Sequence, residues 1–176
     1  ERNVMRVLVA IDSFKGSISS LEAGLAVKEG ICDLCEEVVV KPIADGGEGS
    51  VEALADALGA EFVETIVQNP LGEKVMARYA LKDDLAVLEM ASASGLTLIE
   101  KSLRNPMITS TFGFGQMILH ALNKGARKFI VGIGGSATND AGTGMLSALG
   151  YEFYDENGAL LEGKGENLIK ITKISE

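Results

Sequence analysis

Apolar residues in this chain fall into two kinds of pattern, and the change from one to the other outlines the fold. Met5 to Ile11 is an unbroken apolar run, the pattern of a strand covered on both faces. Ser19 and Glu22 are spaced as a capping box, opening a helix that carries Leu21, Leu25 and Ile31 at helical spacing. Val38, Val39 and Val40 begin a second strand, broken at Pro42. Residues 48–58 read as a second helix, with Gly59 at its end. This β-α-β-α order predicts a parallel sheet with helices packed on it.

From Glu61 the period shortens. Phe62, Val63, Ile66 and Val67 lead into Asn69-Pro70-Leu71-Gly72, a turn signal, and Val75 to Leu81 follow. Asp83 and Asp84 mark another turn before Ala86-Val87-Leu88. A third helix is expected from near Ser110 or Gly113 to Asn123, stopped by Gly125. Phe129 to Ile133 returns as a buried strand, followed by a glycine-rich loop and a helix-like run, Met145 to Leu149. A hairpin closes over Asp155-Glu156-Asn157-Gly158. Residues 167–176 are again apolar-periodic (Leu168, Ile171, Ile174), as in a helix or strand cut in progress. The pattern predicts an α/β fold: a Rossmann-like parallel lobe, residues 1–59 with 106–150, and an inserted, more antiparallel lobe, residues 60–105 with 151–176.

Composition narrows the function classes. With 176 residues and 47% hydrophobic content, a sizeable core is available and disorder is not expected. Twenty-five acidic against 16 basic residues, net −9, argues against a nucleic-acid or anionic-membrane surface. It does not exclude an anionic substrate, since loop amides and a metal can reverse the sign locally. No stretch approaches the roughly 20 apolar residues of a membrane helix, and no signal-peptide pattern is present. A cytoplasmic location is therefore expected. Cys32 and Cys35 are the only cysteines and His120 the only histidine. Four zinc ligands of the usual kind cannot be collected from them, and the two cysteines read as ordinary thiols.

Four polar loops remain as candidate chemistry. Gly132-Ile133-Gly134-Gly135-Ser136-Ala137-Thr138-Asn139-Asp140 follows an apolar strand and precedes a helix. Its glycines let backbone approach a ligand, and the helix amides beyond it can face an anion. The plain alternative is a tight turn capped by Asn139 or Asp140. Asp12-Ser13-Phe14-Lys15-Gly16-Ser17 and Ala44-Asp45-Gly46-Gly47-Glu48-Gly49-Ser50 also follow strands, where ligands of open α/β sheets gather. The fourth is Glu89-Met90-Ala91-Ser92-Ala93-Ser94-Gly95-Leu96, whose small residues leave room for a ligand or a second lobe. Two decoys fail. Gly132, Gly134 and Ala137 satisfy a dinucleotide pattern, but the expected ribose-binding acid would be Glu152 or Asp155, inside a hairpin. Gly158, Gly163 and Lys164 mimic a P-loop, but Gly165 stands where its hydroxyl belongs. His120 lies mid-helix, so a Ser-His hydrolase is hard to build. A carboxylate is then the natural general base.

Taken in order, Asp12–Ser17, Ala44–Gly49, Glu89-Met90 with Ala93–Leu96, Asn105-Pro106 and Gly132–Asp140 closely resemble the bacterial type I glycerate kinases. The resemblance runs over essentially the whole chain and corresponds to the N-terminal half of that family. It implies ATP- and magnesium-dependent phosphorylation of D-glycerate, generally on the 2-hydroxyl, in a cleft between two α/β lobes without a P-loop. On that reading Gly134, Gly135, Ser136, Ala137 and Thr138 cradle phosphate, with Asn139 alongside. Asp45 or Asp140 takes the hydroxyl proton while the other helps hold magnesium, and Lys15 neutralises charge. Asp12, Ser13, Gly46, Gly47, Glu48, Ser94 and Gly95 line the cleft. The implied partners are small molecules, D-glycerate and ATP, with a homodimer allowed. The alternatives are a non-catalytic module binding phosphate or carboxylate, and glycines that serve only to pack lobes.

Overall fold

A computed structural model describes residues 5–14 and 17–176. Three sheets organise them. Strand β1 (Arg6–Val9) pairs in parallel with β2 (Glu37–Val40), Leu8 opposite Val39. Helix α1 (Ser20–Ile31) crosses between them. The Ser19 capping box forms as expected: the Glu22 amide donates to Ser19 Oγ, and the Ser19 amide donates to Glu22 Oε2. At Gly24 the helix approaches β2 so closely that a Cβ would stand 2.5 Å from Val40.

The main sheet runs β3 (Glu61–Gln68), β4 (Lys74–Lys82), β5 (Leu85–Glu89), β6 (Lys128–Gly132). The first three strands are antiparallel neighbours, and β6 joins β5 in parallel with Glu89 opposite Gly132. One face carries α2 (Ser50–Leu58), with Val51 and Ala55 packed on Ala80 and Val87. The other carries the short α3 (Ala91–Ser94) and α4 (Phe112–Asn123), with Phe114, Met117 and Ala121 packed on Tyr79 and Leu88. His120 lies within α4 and its ring nitrogen meets the Tyr79 hydroxyl at 3.1 Å, a packing role. Helix α5 (Thr143–Ala148) packs against α4. A third sheet, β8 (Leu160–Leu161), β7 (Glu152–Tyr154), β9 (Lys173–Ser175), closes over the Gly158 turn.

Three expectations need correction. The second helix starts at Ser50, not residue 48, because Gly49 stands at φ 92°, outside the helical region. The last segment is a 3₁₀ turn, Gly165–Lys170, and then β9, which pairs with β7. Strand β6 hydrogen-bonds β5, so the ladder joins residues 60–105 to residues 106–150. Finally, β1 and β6 are not covered on both faces. Leu8 is 65% exposed and Ile130 and Val131 are each 40% exposed, because α1 shields only one side of β1–β2 and β6 is the edge of its ladder.

The α4 N-terminus lies tight on β3, where a Cβ on Gly113 would sit 1.7 Å from the Gln68 carbonyl oxygen. Gly113→Ala is expected to cost about 2 kcal/mol or more, despite alanine's better helix propensity, because backbone must move. A urea titration that shows an unchanged or raised midpoint would contradict this packing.

Candidate active site

Parallel pairing places the carboxyl ends of β1, β2, β5 and β6 along common edges, and the four loops leave from those ends. Three of the loops are joined by backbone hydrogen bonds. The Gly134 amide donates to the Gly46 carbonyl (2.8 Å), joining the loop after β6 to the loop after β2. The Met90 amide donates to the Gly132 carbonyl (2.8 Å), Leu96 to Gly135 (3.0 Å) and Ala137 to Ser94 (2.8 Å), joining the loop after β5. The contact admits no side chain: a Cβ on Gly134 would stand 2.6 Å from Gly47 Cα, and one on Gly132 2.6 Å from the Gly46 oxygen. Glycine at 132 and 134 is thus a requirement of close approach, not of left-handed backbone.

Within this junction Gly135 and Asn139 are exposed, while Gly134, Ser136 and Thr138 are half-buried. The Ser136 and Thr138 hydroxyls share a 2.7 Å hydrogen bond, and the Thr138 amide donates to Ser136 Oγ. Ala137, Ser94 and Gly95 are buried beneath them, as backing rather than lining. Asp45 is exposed and its Oδ1 accepts from the Gly47 amide at 2.9 Å. Asp12 is half-buried and accepts from its neighbour Ser13 at 2.7 Å. Ser13, Glu48, Gly49 and Glu89 share the wall of a cavity of about 650 Å³ between α1 and α2, which brings the loop after β1 to the same region. Lys15 and Gly16 lie outside the described residues.

The sequence left Asp140 open as a general base, a magnesium ligand or a cap. It is 1% exposed. Its Oδ2 accepts from the Thr111 amide (2.8 Å), the Thr111 hydroxyl (2.8 Å) and the Gly144 amide (3.2 Å), and its Oδ1 from the Gly142 amide (3.1 Å). The Thr111 hydroxyl in turn accepts from the Met145 amide. Asp140 therefore ties the first turns of α4 and α5 together. The helix amides expected to face an anion are occupied by this internal carboxylate, and capping by Asp140 is what the geometry displays. A saturated, buried carboxylate is poorly placed to accept an outside proton or to ligate magnesium, which asks for open oxygen ligands. Among the described residues no three His, Cys, Asp or Glu cluster as a metal cage. Cys32 and Cys35 are free thiols.

A second buried carboxylate, Glu89, was quoted in the motif but not given a role from sequence. It is 8% exposed and accepts from the Ser50 (3.1 Å) and Val51 (3.4 Å) amides at the start of α2. The only sequence signal was an acid closing the apolar strand Ala86–Leu88. Burial first, and the Glu52 carboxylate second, push its carboxyl above the usual carboxylate range, against the pull of those amides.

A mixed α/β sheet whose glycine-rich loops meet at the strand ends has the layout in which open sheets bind small ligands. Comparison with known proteins makes this specific. Residues 7–176 match the model of the glycerate kinase family. The chain is 44% identical to a glycerate kinase of Bacillus subtilis over 174 residues, covering 97% of this chain and 46% of that protein. It is 44% identical to a glycerate 2-kinase of Escherichia coli K12 over 158 residues, covering 88% of this chain and 42% of the relative. A crystal structure from Salmonella typhimurium LT2, described provisionally as glycerate kinase 2, superposes with a TM-score of 0.83 at 40% identity, over 98% of this chain and 47% of that one. The chain belongs to the glycerate kinase family. It spans about half the length of these relatives.

Two outcomes follow from the carboxylates. Asp140→Asn places an amide among N–H donors and is expected to lower stability by about 2–3 kcal/mol, read by urea denaturation. For Glu89 the raised carboxyl holds its proton longer in the native state than in the unfolded chain. Its contribution is full below the unfolded value, about pH 4.3, and is lost as pH rises through the folded value. The stability of wild type relative to Glu89→Gln should therefore fall as pH is raised from about 4 towards neutrality. A flat or rising difference would contradict this.

Proposed function

We propose that this chain forms the phosphate- and substrate-facing part of a kinase that transfers the ATP γ-phosphoryl group to D-glycerate. The observation that carries the reading is the Gly134–Gly46 junction, which sets two glycine loops side by side at the strand ends, in a chain of this family. Phosphoryl transfer asks mainly for positioning and charge neutralisation. Gly134, Gly135, Ser136 and Thr138, with Gly46 and Gly47 opposite, offer backbone and hydroxyl groups to phosphate oxygens. Asn139 and Glu48, both exposed beside them, reach the same space.

Asp45 is the better general base of the two aspartates. It is exposed on the loop that faces Gly134, whereas Asp140 is sealed beneath. In this scheme Asp45 accepts the proton as the glycerate hydroxyl oxygen bonds to phosphorus and the ADP oxygen leaves. Lys15 neutralises charge on the phosphate or the glycerate carboxylate, and Asp12 and Ser13 line the substrate side. Magnesium enters as part of the nucleotide substrate rather than in a cage of protein carboxylates. The Escherichia coli relative is named a glycerate 2-kinase, which supports 2-phosphoglycerate as product. A second reading is a non-catalytic module that binds phosphate or carboxylate through the same joined loops.

Glycerate-dependent ADP release from magnesium-ATP separates the two, and phosphorus NMR of the product assigns the hydroxyl. Asp45→Asn is expected to lower kcat about 10²-fold or more with little change in melting temperature. Wild-type binding of ATP without turnover would favour the non-catalytic module, and near-wild-type turnover in Asp45→Asn would remove its role as base.

A further inference from the structure

Helix α2 begins at an unusual place for a helix that must be held still. Its N-cap is Gly49, in left-handed backbone at φ 92°, with no side chain to accept from the first-turn amides. The residues before it, Gly46 and Gly47, are equally bare. Their backbone meets Gly134 here, and neither has a side chain to offer as a cap. The missing acceptor comes from another strand: Glu89, the last residue of β5, lies 39 positions away from Ser50 in sequence.

From Glu89 a closed circuit of bonds can be followed. Glu89 Oε2 accepts from Ser50 N (3.1 Å) and Val51 N (3.4 Å). Ser50 donates from both its amide (3.2 Å) and its hydroxyl (2.7 Å) to the Gly47 carbonyl. Gly46 accepts from the Gly134 amide, and Gly47 abuts Gly134 Cα-to-Cα closely enough to exclude a methyl group. Gly134 follows β6, whose Gly132 is paired with Glu89 in the ladder and accepts from the Met90 amide. The circuit returns to its start. Apart from the Ser50 hydroxyl, Glu89 contributes its only side chain.

The groups around the carboxylate fit a fixed part. Glu52, one turn into α2, is paired with Arg78 of β4, which partly offsets its repulsion of Glu89. Arg78 lies over the Phe62 ring, and its backbone amide and carbonyl both bond the Ser92 hydroxyl of α3. Glu48, exposed at the cavity wall, and Asp45 are the acids of the loop before α2.

We propose that Glu89 is a positioning residue: by holding the first turn of α2 it sets Gly46 and Gly47 against Gly134, and so fixes the gap between the two glycine loops. The proposal rests on the phosphate-handling reading above for its purpose, but not for its geometry. Deleting the acceptor leaves α2 anchored by its apolar face and the Glu52–Arg78 pair, with its first turn and the loop before it free to part from the loop after β6. A neutral carboxamide at the same length keeps one acceptor oxygen for the Ser50 amide.

The test compares Glu89→Ala and Glu89→Gln with wild type by native-state amide hydrogen exchange, under conditions where all three are folded. Glu89→Ala is expected to speed exchange at Ser50, Val51 and Gly134 by about tenfold or more, with the β3–β4 ladder unchanged, and Glu89→Gln to restore most of the protection. Faster exchange at Ser50 and Val51 with Gly134 unmoved would reduce Glu89 to a local helix cap and overturn the proposal. Uniformly faster exchange across the β3–β4 ladder would overturn it too, as a loss of global stability only. In parallel, the melting shift produced by magnesium-ATP is expected to shrink in Glu89→Ala and recover in Glu89→Gln. No shift in wild type would fault the phosphate reading, while the exchange pattern still decides the position of Glu89.

Discussion

The arrangement depends on one close contact, the backbone of Gly46–Gly47 against the backbone of Gly132–Gly134. A Cβ at position 132 or 134 would push the loops apart by about the width of a methyl group. The contact brings main-chain groups from two distant segments to one edge, where no side chain competes with a ligand for approach. Its consequence is that the loop after β2 has no side chain to cap the helix that follows it, while the loop after β6 keeps one in its last residue, Asp140. Both helices are capped from outside their own first residues, α2 by Glu89 and α5 by Asp140. The buried carboxylates and the bare glycine loops are therefore two sides of one solution.

Carboxylates here divide by solvation. Asp140 and Glu89 are buried among N–H donors and hold helices; Asp45 and Glu48 are exposed and face outward. A buried ionised carboxylate is tolerated only with a full set of donors. Asp140 has four, one of them the Thr111 hydroxyl. At Glu89 burial first, and the neighbouring Glu52 second, raise the carboxyl above the usual carboxylate range. Two acids that look alike in sequence thus differ in what they can do.

Local patterns were the legible part of the fold. The Ser19–Glu22 box, the β3–β4–β5 meander with its Asn69–Gly72 turn, and the stop at Gly125 are each fixed by residues within a few positions, and all appear. The four loops were legible as a set, and backbone bonds join three of them at one edge while Ser13 brings the fourth to the shared cavity. What could not be read was long-range. Nothing near Asp140 announces that Thr111, 29 positions earlier, would enclose it. Nothing near Glu89 points to Ser50. The Thr109-Ser110-Thr111 run gave a weak sign, being a polar stretch with capping character before an apolar helix.

The apolar strands carry the remaining mismatch between pattern and environment. Met5 to Ile11 and Phe129 to Ile133 are composed for two-sided burial, yet Leu8, Ile130, Val131 and Ile133 meet solvent over much of their area. Single exposed apolar residues are ordinary, but these lie on adjoining units: β1 pairs with β2, and the loop after β2 bonds the loop after β6. The surface they make borders the proposed phosphate edge, in a chain that covers about half of its relatives' length. Hydrophobic burial there would stabilise the β1–β2 unit, which now rests on α1 and on the loop contact. Order at the glycine junction therefore depends on how β2 is held, by α1 along the strand and by the loop contact at its end.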